Sequence, residues 1–314
     1  MDAETFRALP TPEVARLVRE ARPKVAVFPI NGTRRWFVLE QPSQPDTQDD
    51  PITTYLDVAG RRHIELYQLF FDHGIDTLLT PVFGSDLLAR GEEYMQAIAV
   101  EGLVRLATHP DFVDFYRAYQ VRVRFYGDHR RFFAPTPYAH VSDLFDQAAA
   151  QTLEHSCYRL FFGVCADDPA ETLAELAISY HAEHGHAPDK RTLIELYYGE
   201  YVEPVDLFIG FDKFCVFDMP LVATGNEDLY FTVAPSPYLA APQLRTILYD
   251  HLYSRREKEP DHAAMRPQDW SLMREFYQAN MDRTLGVGAQ QAQGGFWYPL
   301  PQVELPSSFV ESLH

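Results

Sequence analysis

Asn31-Gly32-Thr33-Arg34-Arg35-Trp36 is the run of this sequence whose residue types and order are best suited to chemistry. Gly32 lets a backbone N–H approach an oxyanion closely, and Thr33 can donate a hydroxyl. The guanidinium forks of Arg34 and Arg35 can together grip several phosphate oxygens. A diphosphate is the guest such a set suits. A solvated basic turn has the same spelling, because short glycine motifs recur by chance. Spacing alone leaves both readings open.

Other clusters promise less. Asp167-Asp168-Pro169-Ala170-Glu171 imitates an acidic metal motif, but it follows a predicted strand and opens a predicted helix. Aspartate caps and acidic first turns are ordinary there. His181, His184 and His186 crowd a helix end near Gly185 without the i, i+4 pair of a zinc-binding helix, so a solvated helix end is expected. Arg61-Arg62 and Arg130-Arg131 read as exposed pairs, with Arg130 near enough to a strand end to reach a phosphate. Tyr197, Tyr198 and Tyr201 read as core and rim packing, their hydroxyls candidates for orienting water. The three cysteines form no C-x-x-C pair and no disulfide framework.

The elements that must position these residues follow an α/β grammar. Thr11 can cap a helix with Pro12 at its first position, and Val14, Leu17 and Val18 give that helix an apolar stripe. Residues 24–30 form a short apolar run between Pro23 and Asn31-Gly32, read as a buried strand ending in a turn. Further strands are predicted at 77–83, 121–126, 158–164, 206–211 and 229–234. Helices are predicted up to Gly74 and over 89–107, 169–183, 242–256 and 267–279. This alternation implies a mainly parallel sheet flanked by helices. Two long loops, 41–54 and 130–142, have the length of lids. Residues 1–256 are read as a catalytic domain, and 257–314 as a C-terminal helix and glycine-rich flap completing the same unit. In open parallel sheets ligands gather at the C-terminal strand ends, so the loops after Ile30, Phe83, Tyr126 and Phe211 are the places to look.

Composition narrows the partner. A net charge of −18 argues against nucleic acid, which is bound through clustered positive charge, so any anion site must be local. Aromatic residues make up 14% of the chain, which suits the lining of an apolar ligand pocket. The sequence starts without a basic-then-apolar leader and has no run of about 18 apolar residues. A soluble protein of the reducing cytoplasm, with no membrane span, is expected.

The opening strand and its loop, P-I-N-G-T-R-R-W, resemble the start of the cis-prenyltransferases, the superfamily of undecaprenyl diphosphate synthases. F-Y-G-D at 125–128 and D-L-Y-F-T at 228–232 extend the likeness. F-P-x-x-G-T-R-R-W-F, H-G-I, Y-Y-G-E-Y-V, F-I-G-F, L-Y-F-T-V-A-P-S and I-L-Y-D-H are similar to the tuberculosinol and kolavelool synthase branch, and together they span most of the chain. The resemblance implies a cis-prenyltransferase-like fold and a diterpene synthase. Its substrate would be a bicyclic diterpenyl diphosphate of clerodane, halimane or labdane type, ionised and quenched by water to an alcohol. One member type of the branch transfers the diterpenyl group to adenosine instead.

Residue by residue, the resemblance implies that Gly32, Thr33, Arg34 and Arg35 bind the diphosphate and that Arg34 and Arg35 stabilise it as leaving group. Tyr55 stands at the place of an active-site tyrosine. Trp36, Phe83 and Trp297 would line the pocket, with the Trp297 ring facing the carbocation. Mg2+ is the implied cofactor and a homodimer the implied assembly. The second-substrate arginines of chain-elongating relatives are missing, since Phe211-Asp212-Lys213-Phe214-Cys215 stands in their place. Asn31 departs from the aspartate of both groups, and an amide can donate hydrogen bonds but cannot act as an anion. A natural variant with another ionisation mechanism, a substituted catalytic aspartate and a noncatalytic homologue all remain open.

Overall fold

The computed structural model describes residues 1–21, 25–40, 51–85, 100–255 and 265–305. Its centre is a six-stranded sheet of β1 (Val25–Val27), β2 (Thr77–Phe83), β3 (Val121–Tyr126), β4 (Tyr158–Val164), β5 (Leu207–Phe211) and β6 (Asp228–Thr232). The strand order is β3-β4-β2-β1-β5-β6 and every pairing is parallel. Successive side chains serve opposite faces. Leu78, Leu160 and Phe162 enter one apolar cluster, whereas Leu79 and Phe161 enter the other. The helix Pro51–Asp72 covers the first face with Leu66 and Phe70, and the helix Lys190–Tyr198 covers the second with Ile194 and Tyr198. A sheet buried on both sides needs near-continuous apolar strands, which is why β2 and β4 read as such.

The chain leaves β1 toward β2 on one side and returns to β5 on the other. Crossovers that diverge in this way open a crevice beyond the carboxyl end of the strand between them. The 31–36 segment begins there. β1 is shorter than the predicted 24–30 strand because Pro29 has no N–H to continue the ladder; Phe28 N–H still donates to the Leu79 carbonyl at 2.8 Å.

Two expectations change. Residues 130–142, read as one long loop, are helical at both ends, in His129–Phe133 and His140–Gln151, with turns only at 134–139, because Phe133, Val141 and Phe145 find a core to enter. Of the predicted 41–54 loop, the described part, 51–54, is the first turn of the helix Pro51–Asp72, and 41–50 lie outside the described residues. The predicted helix over 89–107 is described from Glu101 to Thr108. The helix Ala241–Tyr249 passes into one π-helical turn, Asp250–Ser254.

After the helix Pro267–Asn280, the glycine-rich flap is an antiparallel hairpin of β7 (Gly288–Gln291) and β8 (Phe296–Pro299). A Cβ on Gly288 would overlap the Trp297 ring at 2.1 Å, so glycine is what lets that ring lie across the hairpin. Among the described residues no helix is long and apolar enough to cross a membrane.

Candidate active site

The loop after β1 is held from outside. Asn31 N–H donates to Ser236 Oγ at 3.1 Å, Ser236 N–H donates to the Asn31 carbonyl at 3.0 Å, and Ser236 Oγ donates to the Pro29 carbonyl at 3.2 Å. Ser236 is fully buried. Arg62 steadies its turn by donating to the carbonyls of Pro237 and Leu239 at 2.8 and 3.0 Å, so Arg62 is a structural clamp and not the exposed residue its sequence context suggests. Gly32 adopts φ +77°, and a Cβ there would lie 2.9 Å from the Pro235 Cβ and 3.0 Å from the Phe211 ring. Only glycine meets both demands.

The helix Thr33–Glu40 starts at this turn with no acidic residue in its first turn, so free N–H groups and the positive end of its dipole lie at the loop. Thr33 contributes its backbone to that end. Its hydroxyl is turned inward, donating to the Ile30 carbonyl at 3.2 Å, and so is not directed to an incoming anion as the sequence suggested. Arg34 and Arg35 are exposed residues at the wall of a cavity of about 510 Å3, and neither pairs with a carboxylate among the described residues. The Arg35 guanidinium lies 5.5 Å from the centre of the Phe211 ring, a contact that leaves its fork available.

The other walls come from separate elements. Leu56, Ala59, Gly60 and His63 share one face of the helix Pro51–Asp72, and Tyr55 joins them at the rim, its ring 5.2 Å from that of Phe37. Val82 and Phe83 close the carboxyl end of β2, and Leu103, Leu106 and Phe112 complete an apolar wall. Arg105 also lines the cavity and is hydrogen-bonded to Asp57. His63 Nε2 lies 3.4 Å from Thr33 Oγ1. Burial first, and the neighbouring Arg62 charge second, push the His63 pKa down to about 4, so the ring is neutral at physiological pH. Behind it, burial raises the Tyr67 phenol.

The fold therefore brings Asn31, Gly32, Thr33, Arg34, Arg35, Tyr55 and Phe83 to one cavity. Trp36 and Trp297 lie outside its lining; the Trp297 ring meets Phe214 edge-on at 6.0 Å. Arg130 is engaged by Asp146 and Arg131 by Glu171. Asp167 accepts from the Ser85 backbone at 3.0 Å and from its hydroxyl, a clasp between two strand ends. Tyr197 and Tyr198 are buried in the second apolar cluster, and His181, His184 and His186 are exposed. His63, Arg105 and Ser236 escaped the sequence reading. Ser236 had a signal in the V-A-P-S string, whereas His63 and Arg105 sit in ordinary amphipathic helices.

No family model matches the chain. It is 42% identical over 295 residues to a tuberculosinyl adenosine transferase of Mycobacterium tuberculosis (strain CDC 1551 / Oshkosh), covering 93% of this chain and 96% of the relative. It is 24% identical over 302 residues to a (+)-kolavelool synthase of Herpetosiphon aurantiacus, covering 92% and 96%. Among solved structures it is similar to a lavandulyl diphosphate synthase from Lavandula x intermedia in complex with dimethylallyl diphosphate, at TM-score 0.58 and 15% identity over 76% of this chain and 98% of that one. A probable undecaprenyl diphosphate synthase from Campylobacter jejuni gives TM-score 0.52 and 13% identity, with the same coverage of 76% and 98%. The sheet and its flanking helices are thus a cis-prenyltransferase-like fold, and the chain belongs to the family of the tuberculosinyl adenosine transferase.

Proposed function

We propose that this chain is a diterpenyl transferase, taking a bicyclic diterpenyl diphosphate and passing its diterpenyl group to a nucleoside such as adenosine. The observation that carries this is the 42% identity, over 93% of the chain, to a tuberculosinyl adenosine transferase. The cavity supports it. About 510 Å3 is an ordinary size for a small-molecule site, with an apolar wall for the decalin body and Arg34, Arg35 and a helix start for the diphosphate. In this reading the allylic C–O bond breaks with its electron pair going to the diphosphate. Charge on the leaving group is matched by the guanidiniums of Arg34 and Arg35, which is electrostatic catalysis. The cation is sheltered by Phe83 and Phe112 until an acceptor lone pair closes the new bond.

Capture by water, giving a diterpene alcohol, is the second reading, favoured by the likeness to a kolavelool synthase over 92% of the chain. A homodimer is part of the proposal.

Mg2+ seeks oxygen donors, commonly one or two carboxylates with substrate phosphates. The described cavity lining offers the Asn31 amide and hydroxyls but no carboxylate, and no group of three His, Cys, Asp or Glu side chains stands together among the described residues. These residues do not fit a metal held by the protein itself. In the proposal Mg2+ travels with the phosphate oxygens of the substrate.

The test is incubation with labdane, halimane and clerodane diphosphates, with and without adenosine, followed by diphosphate release and product mass. An adenosine adduct is expected, with alcohol when adenosine is withheld. Alcohol alone under both conditions favours the second reading, and absence of diphosphate release refutes both.

A further inference from the structure

We propose that His63 is the proton acceptor of the capture step, serving any nucleophile that must lose an O–H or N–H proton. This rests on the diphosphate-ionising reading of the cavity.

Once a cation is captured by water or by an amine, the adduct carries a proton that must leave a largely apolar space. Among the described lining side chains, Arg34, Arg35 and Arg105 are already protonated, and Asn31, Thr33 and Tyr55 offer only weakly basic oxygens. Among the described lining residues His63 is the one imidazole, and no carboxylate joins it. Its position is defined by the diphosphate loop, since Nε2 lies 3.4 Å from Thr33 Oγ1 while that hydroxyl gives its own hydrogen to the Ile30 carbonyl at 3.2 Å. Thr33 is therefore the acceptor and Nε2–H the donor. The lone pair is left on Nδ1, for which the described residues supply no hydrogen-bond partner. His63 is half-buried and lines the cavity, so part of its surface stays open. Its depressed basicity keeps it unprotonated before ionisation.

The step balances. The C–O bond of the substrate breaks onto the diphosphate, the nucleophile's lone pair forms the new bond to carbon, and its proton passes to Nδ1. A basic diphosphate oxygen then takes that proton, returning His63 to the neutral form. A nucleophilic ring nitrogen without a hydrogen does not need this service. When no side chain takes the proton of captured water, the capture reverses and the cation passes a carbon-bound proton to a diphosphate oxygen instead, giving olefin.

The experiment compares wild type with His63→Gln and His63→Ala on the diterpenyl diphosphate it turns over, without nucleoside, quantifying alcohol and olefin. The alcohol-to-olefin ratio is expected to fall by on the order of 100-fold in both variants, the scale of one general base. Added imidazole should restore alcohol to His63→Ala, which a merely structural role would not allow. An unchanged ratio in both variants overturns the proposal while leaving the function standing. Loss of binding of a thiolo-diphosphate substrate analogue in both variants also overturns it, making His63 a packing residue. A wild type that releases no diphosphate from any of the substrates overturns the functional reading and this proposal together.

Discussion

Asn31 touches Ser236 through its backbone in both directions, so its placement does not depend on what its side chain is. The amide lines a cavity whose charged side chains among the described residues, Arg34, Arg35 and Arg105, are all cationic. Replacing it by aspartate puts a carboxylate beside the proposed diphosphate position, where it can bind a phosphate-held Mg2+. The arginines and helix start make their contacts independently, so binding should be similar. Asn31→Asp is predicted to release diphosphate at least ~100-fold faster in single turnover with Mg2+ present. Equal rates would place the catalytic burden on Arg34, Arg35 and Tyr55.

At the scale of elements, the loop after β1 is as good as the turn that holds it. The Ser236–Tyr238 turn joins β6 to the helix Ala241–Tyr249 and reaches the loop from the far edge of the sheet, with Arg62 of the helix Pro51–Asp72 tying it down. Ser236→Ala removes an acceptor from the Asn31 N–H and a donor from the Pro29 carbonyl. The expected cost is about 1–2 kcal/mol in stability, with weaker binding of a diphosphate analogue because the loop loses its register. Denaturant unfolding and calorimetric titration check this. A variant with unchanged stability and affinity would mean that Arg62 and the backbone pair at Asn31 hold the loop unaided.

Across the whole molecule, histidines held neutral by their surroundings make stability depend on pH. His63 and His129 both have pKa values pushed down to about 4, in each case mainly by burial, with Arg62 and Arg130 respectively adding to the effect. Above the unfolded value of 6.5 neither state is protonated and the fold keeps its full stability. Between 6.5 and 4 the unfolded chain binds protons that the native chain refuses, so stability falls as pH falls, by up to about 1.4 kcal/mol per unit for each histidine. The Asp128 carboxyl, raised by burial, opposes this as the native state takes up its proton. Thermal unfolding is therefore predicted to show a lower Tm at pH 4.5 than at 7.5. An unchanged Tm would mean that the two rings are as hydrated as in the unfolded chain.

The sequence by itself determined the parallel sheet, because its strands are apolar runs whose type depends on local pattern and on turns after them. β2, β3 and β4 fall on their predicted bounds. It also placed Asn31 to Arg35 in a turn at a strand end, since glycine after an apolar run marks the turn locally, while the paired arginines there only suggested an anion loop. What only the tertiary structure decided is everything requiring distant segments to meet. Ser236 stands 205 residues from Asn31 in sequence and His63 30 from Thr33. No periodicity tells which polar residue of an amphipathic helix turns toward a cavity. The helices His129–Phe133 and His140–Gln151 were hidden for the same reason: proline- and aromatic-rich residues read as loop until a core is present for Phe133 and Phe145 to enter. Trp297 shows the converse, for the family resemblance implies a ring facing the cation, whereas the hairpin lays it against Gly288 and Phe214. Local chemistry is written in neighbouring residues, whereas burial and encounter belong to the folded chain.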